Sequence, residues 1–339
     1  MNIIGIDVGH SSVKLAADVQ GKVVTTMIPT FVCPAVSLSD EAEQARAILE
    51  TIELNGIQYF FGETARLQGQ MRNPTGSFDD WISTPQHTVL LLASFDWAAK
   101  QGLEAQNSVV LLGLPSNLFM RQKAQLKQLV QELTGAKQVI VMPQPVGLYQ
   151  AMMLDAHGFS ETSRDRASQT WGMIDAGYYS TDFIVVEKGR MVEDSMQSCP
   201  GMRRASEYLL RTLSDLGFTA DIREAENTLR TRTIRDYGKD IDVGAKVDAA
   251  LALCAAEVVD TYQRQFSRFA RTMDGLVIAG GGANALYPFV QQAYRNAFVA
   301  PNPRLAVAEG LRRYGCALRR IKASESSTNA VPVVGVATR

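Results

Sequence analysis

Three histidines and four cysteines are all that 339 residues offer of the softer metal ligands, and they are scattered along the chain. His10, His87 and His157 lie far apart, and Cys33, Cys199, Cys254 and Cys316 form no C-x-x-C pair. This argues against a zinc site or a disulfide framework and suits reduced thiols in a cytosol. Excess charge is lacking too. The 34 Lys and Arg nearly balance 35 Asp and Glu, so no global basic field draws the chain to nucleic acid or to an anionic membrane. A role with DNA would need another protein to make the contact. No apolar run reaches the length of a membrane span, and the chain begins on a strand pattern instead of a charged and then apolar leader, which reads as cytoplasmic and unanchored. No G-K-[ST] triplet occurs, which excludes a Walker A loop.

What is present alternates between strand and helix patterns, with 46% hydrophobic residues, enough for one large core or two ordinary ones. Residues 2–8, 12–19 and 22–28 read as a meander of three strands. A helix is expected from about Asp40 to Leu54, then a hairpin or strand pair in GIQYFFGETA. Residues 83–102 read as a helix that starts at Ser/Thr-Pro and ends at Gly102. The run SVVLLGLP is a buried strand, residues 116–135 an amphipathic helix ending at Gly135, and KQVIVMPQP the next strand. The polar run FSETSRDRASQ then marks a linker.

After that linker the pattern restarts. GIDVGHSSVKLAADVQGKVV, residues 5–24, aligns within GMIDAGYYSTDFIVVEKGRMV, residues 172–192, at a constant offset of 168 residues and without a gap. Asp7 falls on Asp175, Gly9 on Gly177, Ser12 on Ser180, Gly21 on Gly189 and Lys22 on Arg190. A single D-x-G match occurs by chance; two in phase, each with its hydroxyl and turn glycine, point to a duplicated domain with a cleft between the copies.

The duplicated hairpin carries chemistry. Tip glycines let backbone N–H groups approach phosphate oxygens. Residues two apart on a strand share a face, so Ser12 points with Lys14 and Ser180 with Asp182. Asp7 and Asp175 would repel a polyphosphate unless a hydrated divalent cation lay between them, and Mg²⁺ accepts one or two protein carboxylates while keeping its waters. Each hairpin alone is equally well read as a turn capped by its aspartate. A third element, DGLVIAGGGANAL, runs from a buried strand through Gly280, Gly281 and Gly282 into a helix, offering bare backbone and a helix N-terminus to an anion or a flat ring. It lacks the third glycine of the dinucleotide fingerprint.

Together these motifs resemble the actin-type nucleotide-binding fold shared by actins, sugar kinases and the large heat-shock chaperones. GIDVGHSSVK resembles the first phosphate motif, IDAGYYSTD the second and LVIAGGGANAL the adenosine motif, while MPQPVGLYQAM and AVAEGLRRYGCAL resemble the two connecting helices. Length and the ending APNPRLAVAEGLRRYGCALRR are most similar to bacterial ParM and StbA-type plasmid segregation proteins. The resemblance implies an α/β, actin-like ATPase fold of two duplicated ribonuclease-H-like domains around a nucleotide cleft. The first would span residues 1–160 and the second 161–322, with a helical insert at about 203–272 and the helix at about 305–322 packing back on the first. A tail would follow at 323–339.

It also implies roles. Asp7 and Asp175 would hold Mg²⁺ through water, and Gln144 would position the attacking water, although a polar residue between two prolines is also a plain helix cap. Gly9, His10, Ser11, Ser12 and Lys14 would contact ATP or GTP phosphates from one side, and Gly177, Tyr178 and Ser180 from the other. Gly280, Gly281, Gly282 and Asn284 would meet the base, and Glu226 or Arg230 the ribose, letters that a solvated helix face explains equally well. His10, Tyr178 and Tyr179 depart from the small residues usual at such tips.

The implied activity is nucleotide-dependent filament formation. The implied partners are further copies of the chain and a DNA-binding adaptor at a centromere-like site, with no direct nucleic-acid contact and no membrane. Residues 63–81 and 221–247 depart from the core pattern and offer places for filament contacts, and an ordinary surface loop explains either equally well. The rival classes are a sugar or acetate-type kinase and a non-polymerising actin-like scaffold.

Overall fold

The computed structural model describes residues 2–69, 78–161 and 163–327. Its first three strands, β1 (Asn2–Val8), β2 (Ser12–Val19) and β3 (Lys22–Pro29), form the expected antiparallel meander. β2 turns into β3 at Gln20 (φ 51°) and Gly21 (φ 82°), two left-handed residues in succession, the two-residue turn whose twist matches its flanking strands.

The chain then builds a small subdomain from β4 (Val32–Pro34), α1 (Glu41–Leu49), β5 (Thr51–Leu54), β6 (Ile57–Phe61) and α2 (Gly62–Gln68). One expectation fails here. The helix from Asp40 stops at Leu49, and Thr51–Leu54 pairs antiparallel with Ile57–Phe60 across a turn at Asn55 (φ 52°) and Gly56 (φ 77°). No glycine or proline stops the helical pattern before Asn55, but β-branched Thr51 and Ile52 suit a strand, and pairing about the Asn-Gly turn makes them one.

A 3₁₀ turn (Phe78–Ser83) leads into α3 (Pro85–Lys100), capped by Thr84 Oγ1 accepting from the His87 N–H. β7 (Ser108–Leu114), α4 (Ser116–Thr134), β8 (Gln138–Pro143) and α5 (Gln144–Met153) complete the first lobe's sheet, in the order β3-β2-β1-β7-β8. Gly135 ends α4 in the left-handed conformation, φ 66°.

The restart is copied in three dimensions. β9 (Thr170–Ala176) and β10 (Ser180–Glu187) lie 168 residues after β1 and β2 with the same bounds, and Asp175 faces Asp182 across the ladder as Asp7 faces Lys14. Lys188 (φ 50°) and Gly189 (φ 75°) repeat the turn at Gln20 and Gly21. After β11 (Arg190–Met191) and β12 (Gln197–Pro200) come α6 (Arg203–Asp215), α7 (Ile222–Thr231), β13 (Thr233–Asp236), β14 (Lys239–Asp242) and α8 (Gly244–Ala270). The expected helical insert is therefore interrupted by a β-hairpin. β15 (Gly275–Ala279), α9 (Ala283–Ala293), β16 (Ala297–Val299) and α10 (Ala306–Ser327) follow, giving a second sheet β11-β10-β9-β15-β16 with β12 beside β10. α10 runs five residues past its expected end, to Ser327; residues 328–339 of the proposed tail and 70–77 of a proposed filament contact lie outside the described residues.

Each sheet has an apolar core on its outer face, against α3 and α4 in one lobe and α6, α8 and α9 in the other. A third core joins the lobes. Ile3, Leu111, Met173 and Val277 from both sheets meet Leu148, Met152, Val307 and Leu311 of α5 and α10. Complete burial of such side chains contributes roughly 1.5–3 kcal/mol each. The two helices cross where Gly147 meets Gly310: a Cβ on Gly310 would stand 1.8 Å from the Gly147 carbonyl oxygen, so only glycine permits the crossing. Among the described residues no helix is long and apolar enough to cross a membrane.

Candidate active site

The C-terminal ends of β1 and β9 face each other across the cleft between the sheets, each followed by a tight hairpin. The Gly9 N–H donates to the Ser12 carbonyl at 3.2 Å, and the Gly177 N–H to the Ser180 carbonyl at 3.0 Å, so the tips close alike. A Cβ at Gly9 would fall 2.6 Å from Lys14 Nζ, and one at Gly177 2.7 Å from the Ser180 carbonyl oxygen. At Gly177 the obstacle is backbone, which excludes a side chain; at Gly9 it is the end of the Lys14 side chain, so a Cβ there would push the ammonium group from its place beside Asp7.

Asp7 is buried at the centre. Its Oδ1 accepts from Gln144 Nε2 at 2.6 Å, and its Oδ2 lies 3.1 Å from Lys14 Nζ. Gln144 opens α5, and its amide nitrogen is committed to Asp7, so its carbonyl oxygen remains as the acceptor it can turn to the cleft. Opposite, Asp175 is held up at about 7, first by burial and then by the Asp7 carboxylate, with Lys14 pulling it down and Asp182 adding to the rise. A carboxyl raised this far marks a site short of positive charge.

That shift fixes a pH dependence. Folded, Asp175 keeps its proton to about pH 7, against an ordinary value of 3.8; its contribution to stability is therefore complete below the unfolded value and is lost as pH rises towards 7. In the nucleotide-free protein, Asp175→Asn is expected to raise the unfolding free energy at pH 8 and leave it unchanged at pH 4. Urea unfolding at both values checks this, and an equal gain at both would refute it.

Of the residues singled out from the sequence, Asp7, Gly9, His10, Ser11, Ser12, Lys14, Gln144, Asp175, Gly177, Tyr178, Ser180, Glu226, Arg230 and Gly280–Gly282 all line this one cleft. Asn284 does not. It lies exposed on α9 beyond the glycine loop, because the helix has already turned it outward. Gly280 (φ 90°) requires its glycine, since a Cβ would meet the Ala176 carbonyl oxygen at 2.4 Å and Asp175 Oδ1 at 2.7 Å. Glu226 and Arg230 sit one turn apart on α7, where burial raises the Glu226 carboxyl against the pull of Arg230 and Arg304.

The oddities at the tips find a common explanation. The His10 ring stacks on Trp81 at 4.7 Å and lies 4.2 Å from Tyr179, joining the two hairpins. Burial, then Lys14 and Arg203, hold the imidazole down at about 3, so it is neutral. The Arg203 guanidinium lies over the Tyr179 ring, 4.8 Å from its centre. Bulky tips thus build an aromatic wall that ties the two hairpins together.

The sequence reading missed a second bridge. Asp182, 1% exposed on β10, accepts from the Ser116 N–H and Ser198 Oγ on Oδ1 and from Ser180 Oγ on Oδ2, each at 2.6 Å. Ser116 starts α4 in the other lobe, and Pro115 before it offers no capping side chain. A carboxylate from one lobe therefore caps a helix of the other. Its only sequence signal was a helix start preceded by proline.

Among the described residues no cluster of three or more His, Cys, Asp or Glu side chains could enclose a metal ion. The donor set at the centre is instead the two carboxyl groups of Asp7 and Asp175 lining the cleft, and a cation completed by water and ligand oxygens would fit it by supplying the positive charge that Asp175 needs to ionise.

Comparison with known proteins agrees with this geometry. The model for the N-terminal domain of actin-like proteins matches residues 5–147, and that for the C-terminal domain of the MreB-like archaeal actin homologue matches 173–292. No curated protein matches the chain by sequence. Among solved structures, a subunit of the 15-stranded ParM filament from Clostridium botulinum shares 18% identity at a TM-score of 0.70, covering 93% of this chain and 98% of that one. The archaeal actin homologue Ta0583, in complex with ADP, shares 16% identity at a TM-score of 0.70, covering 96% and 100%. ParM from Bacillus thuringiensis with AMPPNP shares 13% at a TM-score of 0.61, covering 95% and 99%. With both halves matched in order and one architecture over nearly its whole length, the chain belongs to the actin-like family and has the ParM-like fold.

Proposed function

We propose that this protein binds and hydrolyses ATP or GTP with Mg²⁺ and assembles into filaments while the triphosphate is bound. In this reading it moves plasmid or other DNA through a DNA-binding adaptor. The observation that carries the reading is the pair of glycine-tipped hairpins facing each other, with Asp7 and Asp175 between them and Gln144 on Asp7. The nucleotide of the archaeal homologue and the filament of the clostridial ParM support it by likeness of fold.

Mg²⁺, held through water by Asp7 and Asp175, would supply charge neutralisation along the phosphates. The rest falls to the chain. With the Gly9 and Gly177 N–H groups closing the turns, the remaining backbone N–H groups of the two tips orient the β and γ phosphates, and Lys14 balances their charge at one fixed point. The Gln144 carbonyl oxygen accepts from the attacking water and sets its line of approach. A neutral amide is a poor base, which suits a reaction dominated by positioning and electrostatics. The glycine loop at Gly280–Gly282 receives the nucleoside, with Glu226 and Arg230 beside it.

Light scattering and electron microscopy after addition of magnesium ATP test the proposal. Filaments that form with ATP and disassemble as phosphate is released are the expected result. Persistent monomers with ATP bound would remove the filament reading; absence of nucleotide binding would remove the whole proposal.

A further inference from the structure

The cleft does not end at the phosphate tips. Beside His10, whose ring stacks on Trp81, it continues round the end of the first sheet into the core of the first lobe. Trp81 and Ile82 of the 3₁₀ turn, Leu112 and Leu114 of β7, and Leu118 and Leu126 of α4 line this recess. The side chains of β7 alternate between its faces. A Cβ at Gly113 would meet Gln144 and Val307 on one face, whereas Leu112 and Leu114 belong to the core on the other, with Trp81 and Ile82. All six lining residues are between 1% and 6% exposed, so the recess is reached from the cleft.

Its polar groups are out of keeping with an ordinary core. His87, 2% exposed near the start of α3, lines the recess as well. The His87 and Trp81 rings lie edge to face, 5.6 Å between centres. His87 Nδ1 and Trp81 Nε1 are both buried, and neither meets a hydrogen-bond partner among the described residues. Each therefore carries the desolvation penalty of a buried group left unsatisfied, and native cores seldom leave two such groups side by side. Burial, then His10, hold the His87 imidazole down at about 3, so it is neutral. None of the seven side chains carries a charge. At the cleft end Asp7 and Lys14 are already paired with each other, at 3.1 Å.

We infer that this recess is a second binding site, for a small uncharged molecule with an apolar body and one hydroxyl or carboxamide group. The body packs among the leucines, and the polar group accepts from Trp81 Nε1 and bonds to His87 Nδ1. A charged ligand is excluded, because nothing in the recess would neutralise it. An occupant in contact with Trp81 is one ring away from His10 and the first phosphate tip. The inference goes beyond the triphosphate reading and stands without it, since the recess and its two orphaned atoms belong to the first lobe alone.

Proton–nitrogen correlation spectra of the full chain, titrated with benzyl alcohol, test it. The indole N–H signal of Trp81, identified by its loss in Trp81→Phe, should move and saturate. That of Trp171, which already donates to Gln169 Oε1 at 3.0 Å, should stay in place. Saturating magnesium ADP should leave the titration intact. Ethylbenzene has nearly the same shape without the hydroxyl, so His87→Phe should shift the ratio of the two affinities by about fivefold in favour of ethylbenzene. Benzoate should bind at least about tenfold more weakly than the alcohol. Leu118→Phe should fill the recess and abolish binding, with its indole signals showing that the fold holds. A Trp81 signal that does not saturate means that the recess takes water alone and overturns the inference. So does a probe displaced by magnesium ADP, which lies in the nucleotide cleft instead. An affinity ratio unmoved by His87→Phe, benzoate bound as tightly as the alcohol, or a Leu118→Phe variant that binds as before overturns it equally. A chain that takes benzyl alcohol at Trp81 and binds no nucleotide brings down the triphosphate reading and supports this one.

Discussion

Asp7→Ala is expected to lower nucleotide hydrolysis by roughly 10²–10³-fold or more, the range seen when a preorganised electrostatic group is removed. Three arrangements fail together. The proposed cation loses a carboxylate, Gln144 loses the acceptor that orients its amide at 2.6 Å, and Lys14 loses its counter-charge at 3.1 Å. Asp7→Asn separates chemistry from folding, because its carbonyl oxygen can still accept from Gln144 while the charge is gone. The Asn variant keeps the Gln144 contact but not the counter-charge of Lys14, so it should be more stable than the Ala variant and lose turnover nearly as fully. Phosphate release at saturating ATP is the measurement. Turnover preserved in either variant would sink the assignment of Asp7.

The second large effect is expected at Asp182, and it concerns the union of the lobes. Asp182→Ala leaves the Ser116 N–H, Ser198 Oγ and Ser180 Oγ without their shared acceptor in a buried place. Orphaned groups of this kind, one of them the end of a helix, predict a loss of about 2–4 kcal/mol. The protein can recover part of it by opening its lobes and letting water reach the start of α4. A lower urea midpoint and a larger radius of gyration in X-ray scattering should therefore appear together. Asp182→Asn should behave differently: its oxygen still caps Ser116, its amide donates to Ser180, and the charge that burial disfavours and that also raises Asp175 is removed. Stability close to that of the original chain is expected. An Ala variant as stable and compact as the original would show that the bridge does no work.

The duplicated hairpin was legible because it is local. The turn glycines, the strand alternation and the catalytic-type side chains of each copy fall within some twenty residues, and β1, β2, β9 and β10 have the bounds that the repeat implies. The cleft was legible for the same reason, as each of its walls is one short motif. What stayed hidden depends on contacts between distant segments. His10 looked out of place at its tip until Trp81, 71 positions further on, stacked against it. Asp182 looked like a second polar residue on a strand, and nothing near it in the chain suggests that Ser116, 66 positions earlier, would seek its carboxylate. The strand at Thr51–Leu54 was misread because the helical pattern from Asp40 runs into it with no glycine or proline to stop it before Asn55, and pairing with β6 is what separates the two. Asn284 was placed in the site by proximity to the glycines, and helical rotation took it away.

The crossing of α5 and α10 at Gly147 and Gly310 gives α10 the proportions of a lever. Val307, three residues before the crossing, lines the cleft, and Lys322, twelve residues after it, lies beside the starts of β7 and β8 at the far end of the lobe. At 1.5 Å per residue the arms are about 4.5 Å and about 18 Å long. A tilt about this fulcrum would move the far end about four times as far as the near end, so a displacement of about half an ångström at the cleft would correspond to about 2 Å at the far end of the lobe. Backbone touches backbone at the pivot, where there is no side chain to yield, and such a bearing passes motion on instead of absorbing it.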